Sequence, residues 1–139
     1  MRQALHHLQI ATSGQGLIEI TAAVNDFVAR QRIETGLVTL FCRHTSASLL
    51  IQENADPDVQ RDLETFLAKL APEDPQRYRH DTEGPDDMPA HIRAALTQTQ
   101  LAIPIEAARM VLGTWQGIYL FEHRRAAQRR DIVLHLIGE

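Results

Sequence analysis

The sequence predicts an α+β fold: mixed or antiparallel β-sheets with about three helices, in a single domain covering residues 1–139. Three observations predict it. Apolar, β-branched runs bounded by turn residues recur along the chain (ALHHLQIAT, LVTLFC, LAIPI, MVLGTWQGIYLFEH, RDIVLHLIG). Helical spacing appears in only three places. The late strand runs are apolar at both parities, so both of their faces need cover. So few helices supply that cover only in a two-layer packing or with the help of a subunit interface.

Residues 4–12 form the first expected strand, and Gly14 and Gly16 mark a turn before LIEI. In TAAVNDFVARQR, Val24, Phe27 and Val28 fall at helical spacing with Thr21 available as the N-cap, and Gly36 closes the unit. LVTLFC (37–42) is a buried strand, and SASLLIQE continues as an extended segment after a break near His44–Ser46. The strongest helix signal follows. Asp56 caps it, Pro57 suits its first position, and Val59, Leu63, Phe66, Leu67 and Leu70 make one apolar stripe before Pro72 and Pro75. A shorter helix spans roughly Pro89 to Leu96, with Asp87 as a candidate cap and His91 in its first turn.

Composition narrows the function classes. A formal net charge of −4 argues against a nucleic-acid binder. No apolar run reaches membrane-spanning length, and the first fourteen residues lack the apolar core of a signal peptide. Cys42 is the only cysteine, so no internal disulfide or multi-cysteine zinc site can form. These points predict a cytoplasmic protein. P-loop, GxGxxG, HExxH and GxSxG patterns are all missing.

Three stretches concentrate titratable chemistry. HDTEGPDDMPAH (80–91) holds two histidines and four carboxylates around Gly84, Pro85 and Pro89. Converging imidazoles and carboxylates serve metal binding or acid–base catalysis; a solvated proline-rich turn is the alternative. In CRHTSASLLIQEN, His44 follows a strand, Thr45, Ser46 and Ser48 offer hydroxyls to an anion, and strand parity puts Glu53 on the face of Ala47, Leu49 and Ile51. Cys42 shares parity with His44, but a lone strand cysteine is far more often a small buried residue. In GTWQGIYLFEHRR, Gly113 and Gly117 bracket Trp115 and Gln116. The tryptophan either stacks on a ligand or anchors the core. Glu122, His123 and Arg124 come as the strand leaves the core, and RRAAQRR suggests a hairpin with an arginine-rich turn. His6, His7 and His135 suit surface or strand packing.

HTSASLLIQENADPDV, HDTEGPDDMPAHI and GTWQGIYLFEHR, in that order and spacing, resemble the YjbQ family, and the match continues to the terminal VLHLIG. One departure is Ala108, where the family often has glycine. The resemblance implies a homotrimer and a thiamine-phosphate synthase activity, in which a pyrimidine diphosphate and a thiazole phosphate give thiamine phosphate and pyrophosphate. It implies a polar pocket, between subunits in a trimer, acting on a small phosphorylated substrate. On that basis His44, Glu53, His80, Asp81 and Glu83 are the catalytic candidates. Thr45, Ser46, Asn54, Asp87, Trp115, Gln116 and Arg124 are expected to bind substrate, with Arg124 neutralising the leaving group. A divalent ion fits either of two donor sets: His44, His91 and His123 suit zinc, and Asp81 and Glu83 suit Mg²⁺. The histidine set ranks higher. A metal-dependent hydrolase, with the synthase as a side activity, and a non-catalytic trimeric metal- or ligand-binding module are the alternatives. Neither nucleic acid nor membrane is expected as a partner.

Overall fold

The computed structural model describes all 139 residues. Its strands are β1 (Arg2–Ala11), β2 (Gly16–Glu19), β3 (Thr35–Cys42), β4 (Ala47–Glu53), β5 (Gln100–Glu106), β6 (Arg109–Met110), β7 (Gln116–Glu122) and β8 (Arg129–Gly138). Its helices are α1 (Thr21–Gln31), α2 (Pro57–Leu70) and α3 (Asp87–Leu96), with one 3₁₀ turn at Pro75–Arg77. This is the α+β arrangement of three helices and antiparallel sheets. A five-stranded sheet runs β1-β8-β3-β5-β6 and a three-stranded sheet runs β2-β7-β4. Every strand pair is antiparallel.

One cluster of 19 buried apolar residues fills the space between the sheets and α1. Val38 and Leu40 of β3, Leu101, Ile103 and Ile105 of β5, and Ile132, Leu134 and Leu136 of β8 point inward from the larger sheet. Leu49 of β4 and Ile118 and Leu120 of β7 meet them from the smaller one, and Val24, Phe27 and Val28 of α1 close the core. Each such side chain contributes roughly 1.5–3 kcal/mol of burial free energy. β7 is buried on both faces, since α2 lies over the side that carries Tyr119 and Phe121; Gln60 of α2 donates to the Tyr119 hydroxyl at 3.2 Å. β5 and β8 instead alternate, so the outer face of the five-stranded sheet is not covered within the chain.

Several boundaries differ from expectation for local reasons. Ile20, not Thr21, stands at the N-cap of α1; the Thr21 hydroxyl donates to Glu19 and accepts from the Ile118 amide. The α3 helix starts at Asp87, two residues early. Pro89 at its third position costs nothing, because first-turn amides have no intrahelical partner. His91 accordingly opens the second turn. RRAAQRR is not a hairpin turn: β7 and β8 lie in different sheets, and this segment crosses from one to the other. The run MVLGTWQGIYLFEH breaks into β6, a turn and β7. Asp56 caps α2 as expected, its side chain accepting from the Asp58 amide at 2.9 Å. No helix is long and apolar enough to cross a membrane.

Candidate metal centre

The loop ahead of α3 and the first turns of that helix bring four ligand atoms together. Side-chain donors of His80, Glu83, Asp87 and His91 all lie within 4.8 Å of one another. The helix supplies the spacing: Asp87 and His91 are four apart and share one face. Gly84, at φ 100°, turns the loop so that His80 and Glu83 fold back over them. Asp87 is buried and is the hub. Its Oδ2 lies 2.7 Å from His80 Nε2 and 3.0 Å from His91 Nε2, and its Oδ1 accepts from Arg124 Nη1 at 2.6 Å. Glu83 Oε2 stands 3.3 Å from His80 Nε2.

Electrostatics follow from these contacts. Burial works against a charge on Asp87, but the hydrogen bond from His80 and the charges of His91 and Arg124 hold its pKa below the usual carboxylate value. The same Asp87 hydrogen bond raises the pKa of His80. His91 is the most informative member. Its Nδ1 lies 2.9 Å from the Thr45 carbonyl oxygen, which can only accept, so Nδ1 carries hydrogen. A neutral His91 therefore turns the Nε2 lone pair toward the Asp87 carboxylate at 3.0 Å. Two lone pairs at that distance repel unless a proton or a metal cation lies between them. An imidazole anchored to a backbone carbonyl through its other nitrogen is the usual posture of a metal-ligating histidine. Two imidazoles and two carboxylates fit Zn²⁺ or a similar first-row ion better than Mg²⁺, which prefers oxygen donors throughout.

Arg124 is fully engaged in holding this loop. Nε reaches Asp86 at 3.1 Å, Nη1 reaches Asp87, and Nη2 donates to the Glu83 carbonyl at 2.9 Å. These contacts hold its pKa above the ordinary arginine value against the opposing effect of burial. The guanidinium expected to clamp a phosphate is instead the clasp that positions Asp87.

The three-histidine ligand set does not converge within the chain. His91 joins the cluster above, while His44 and His123 do not. His44 Nε2 accepts the Asp131 amide at 2.8 Å, and burial, with Arg130 nearby, lowers its pKa; the ring is neutral with its hydrogen on Nδ1. His123 is sealed beside Ser48, which lies 2.8 Å from its Nε2, and burial pushes its pKa down to about 3. His44, Thr45 and His91 do share the wall of a cavity of ≈ 600 Å³, together with Phe41, Arg43 and Ala94. Asp81 is exposed and, with His80, lines a smaller cavity that also holds Met88 and Pro85. The Ser46 hydroxyl accepts from Arg130 at 3.0 Å and so is engaged internally.

Glu53, Asn54, Trp115 and Gln116 lie elsewhere. Ala47 pairs with Glu122 at one end of the β4–β7 ladder and Glu53 with Gln116 at the other; seven residues separate the groups by roughly 20 Å. Within one chain, the pocket expected from the sequence is therefore two groups at opposite ends of a strand pair. Glu53 Oε2 accepts the Asp56 amide at 3.3 Å, and Asn54 donates its amide to the Trp115 carbonyl. Trp115 is 63% exposed, so it is no core anchor. Cys42 is buried with its thiol against the Ala47 carbonyl, and burial raises its pKa, which leaves it unsuited to be a nucleophile.

Two features had no signal in the sequence. Glu122 is wholly buried and pairs with Arg130, accepting as well from the Thr12 hydroxyl at 2.8 Å and the Arg124 amide at 3.0 Å. Arg93 is buried without a carboxylate partner. Neither neighbourhood can be found from local spacing, because the contacts cross between sheets and helices.

The description "UPF0047 protein YjbQ-like" belongs to the family model that matches residues 6–139. The chain belongs to this family. It is 54% identical over 138 residues to UPF0047 protein sll1880 of Synechocystis sp., covering 99% of this chain and 94% of that relative. It is 41% identical over 133 residues to UPF0047 protein YjbQ of Escherichia coli O157:H7, covering 95% and 96%. Among solved structures, the conserved hypothetical protein TT1486 of Thermus thermophilus superposes with a TM-score of 0.85 at 36% identity, covering 95% of this chain and 99% of that one. Shared membership carries the fold to this YjbQ-like chain; an activity has to be argued from the site.

Proposed function

We propose that this YjbQ-like protein is a metal-dependent enzyme for a small phosphorylated substrate, its ion held by His80, Glu83, Asp87 and His91. The observation that carries the reading is the His91 ring: fixed by the Thr45 carbonyl through Nδ1, it aims its Nε2 at the Asp87 carboxylate, beside His80 and Glu83. A bound divalent ion would act as a Lewis acid toward phosphoryl oxygens. The chain's own residues do the rest. Arg124 positions Asp87, the neutral His44 offers its Nδ1–H to the substrate, and the Phe41 ring with Ala94 gives the neighbouring cavity an apolar wall for a flat group. Arg43, largely exposed and paired with Asp131 at 2.8 Å, lines the same cavity and is the cation available to a phosphate placed there.

Thiamine-phosphate formation is the specific reaction to assay first. Pyrophosphate would leave from the pyrimidine methylene as the thiazole nitrogen bonds to that carbon, and holding the two rings in line is the chain's task. A non-catalytic metal- or ligand-binding module is the second reading. It is favoured by the engagement of Arg124, which leaves no arginine of the cluster free for a leaving group. We also place the protein in the cytoplasm as a homotrimer. Exposed apolar side chains on the outer face of the five-stranded sheet (Leu5, Leu37, Phe41 and Ile137) support that assembly.

The test is product formation from both substrates by zinc-loaded protein, beside His91→Ala and His44→Ala. Hydrolysis of simple phosphorylated compounds without the thiazole acceptor would indicate a hydrolase. Tight metal binding with no turnover of either kind would leave the binding module.

A further inference from the structure

A cavity of ≈ 270 Å³ meets the metal-ligand cluster at His80; ligand pockets begin at about this size, roughly 300 Å³. It shares no residue with the larger cavity that His91 lines, so the cluster borders two separate pockets, one through each histidine. Pro75 and Pro85 give the smaller one rigid walls, because a proline ring fixes the backbone φ. Half-buried Met88 and Tyr78 add a polarisable wall and an aromatic one. The tyrosine is tethered there by its hydroxyl, which donates to the Pro72 carbonyl at 2.8 Å.

Asp81 is the one carboxylate on these walls. Its neighbours in the loop are all matched. Asp86 pairs with Arg124 at 3.1 Å, Asp87 with Arg124 and both histidines, and Glu83 with His80 at 3.3 Å. Asp81 joins no ion pair and no hydrogen bond, and neither lysine nor arginine lines the cavity. His80 is not its counter-charge, since the Nε2 of that ring is turned to Asp87 and Glu83. The cavity thus presents one unmatched negative charge among apolar and aromatic surfaces. Such a wall favours a cation over an anion or a neutral group, through both the carboxylate and the ring. One carboxylate offers too few oxygens for Mg²⁺ or Ca²⁺, which take about six or more ligands. An organic cation fits instead.

We propose that this cavity binds a protonated amine carried on a short apolar or aromatic body, the ammonium on Asp81 and the body against Tyr78, Met88 and the two prolines. Beside His80, that amine would be part of the substrate or of a second reactant brought to the ion. Its identity as a reactant rests on the metal-centre reading; its binding does not.

The experiment is an NMR titration of the full chain with benzylamine, following the Met88 methyl and the Asp81 backbone amide. Benzyl alcohol and benzoate, at matched ionic strength, present the same ring with no charge and with the opposite one. Saturable movement of both signals is expected with benzylamine, a weaker response with the alcohol and none with benzoate. Asp81→Asn, at an exposed position, should fold and bind benzylamine about fivefold more weakly, as fits an ion pair on a partly exposed wall. Its zinc affinity should be unchanged, because Asp81 is not among the four ligands. Unmoved signals, equal movement with the alcohol or benzoate, or undiminished binding by Asp81→Asn would overturn the proposal. Amine binding by a protein that takes no zinc would end the metal reading and leave this one standing; zinc binding with an unmoved Met88 methyl would do the reverse.

Discussion

Asp87 sits where three cationic or potentially cationic groups meet, and its chemistry fixes how the site responds to pH. The hydrogen bond from Asp87 raises the pKa of His80. In metal-free protein, a raised histidine pKa adds stability that is fully present below the unfolded value of about 6.5 and is lost as pH rises through the folded value. Metal binding needs the same nitrogens deprotonated, so its stabilisation grows with pH across that window. His44 and His123, whose pKa values are lowered, act with the opposite sign, so the His80 share is read as a difference. With chelator, the melting temperature of wild type relative to His80→Gln should fall as pH rises from 6 to 8, and the gap opened by added zinc should widen; a zinc increment independent of pH would count against histidine ligands. Glu122 tests the opposite sign. Burial opposes its charge, but Arg130, the Arg124 amide and Thr12 hold its pKa below the ordinary value. Its contribution is present above about 4.3 and disappears as pH falls through the folded value. Glu122→Gln leaves Arg130 buried and unpaired and should cost about 3 kcal/mol in urea unfolding near pH 7. Nothing in the sequence marked this pair. Residues 122 and 130 look like two charges at the margins of a turn, and only the crossing between sheets makes them a buried couple.

Elements with a local cause were legible and those with a distant cause were not. Asp56–Pro57 and the stripe from Val59 to Leu70 announce α2 through capping and period alone. The segment 124–129 carries no local mark of whether it reverses within a sheet or changes sheet. The short β5–β6 connection shows a local rule being broken. Ala107 and Ala108 both take positive φ, 50° and 59°, in a two-residue turn between paired Glu106 and Arg109. Such turns favour glycine or asparagine, since a Cβ is strained there. The sequence already flagged Ala108 as the family's departure; the backbone gives its consequence. Ala108→Gly should raise stability by about 1 kcal/mol in denaturant unfolding, the relief of strain exceeding the extra entropy of the unfolded glycine. No gain, or a loss, would show that the turn is not strained.

At the scale of the molecule, the motifs that looked like one pocket are joined only in part. His80–His91 folds against Thr45 and Arg124, as their shared chemistry suggested, but Glu53, Asn54, Trp115 and Gln116 lie at the other end of the β4–β7 ladder. Sequence proximity put Glu53 near His44; an extended strand carries it away. The uncovered face of the five-stranded sheet bears Leu5 at 63% exposure and Phe41 at 42%, with Leu37 and Ile137 between them in register. Assembly would bury that face, so light scattering should give three times the 15.7 kDa chain mass. Leu5→Asp with Phe41→Asp should reduce it to a monomer, whereas a monomeric wild type would end the trimer proposal. The central claim remains the metal. Isothermal titration of chelator-treated protein with Zn²⁺, for wild type, His91→Ala and Asp87→Asn, tests it most directly. One saturable site per chain, weakened more than about 100-fold in both folded variants, is the predicted result. Unchanged binding in the variants, or none in the wild type, would contradict it.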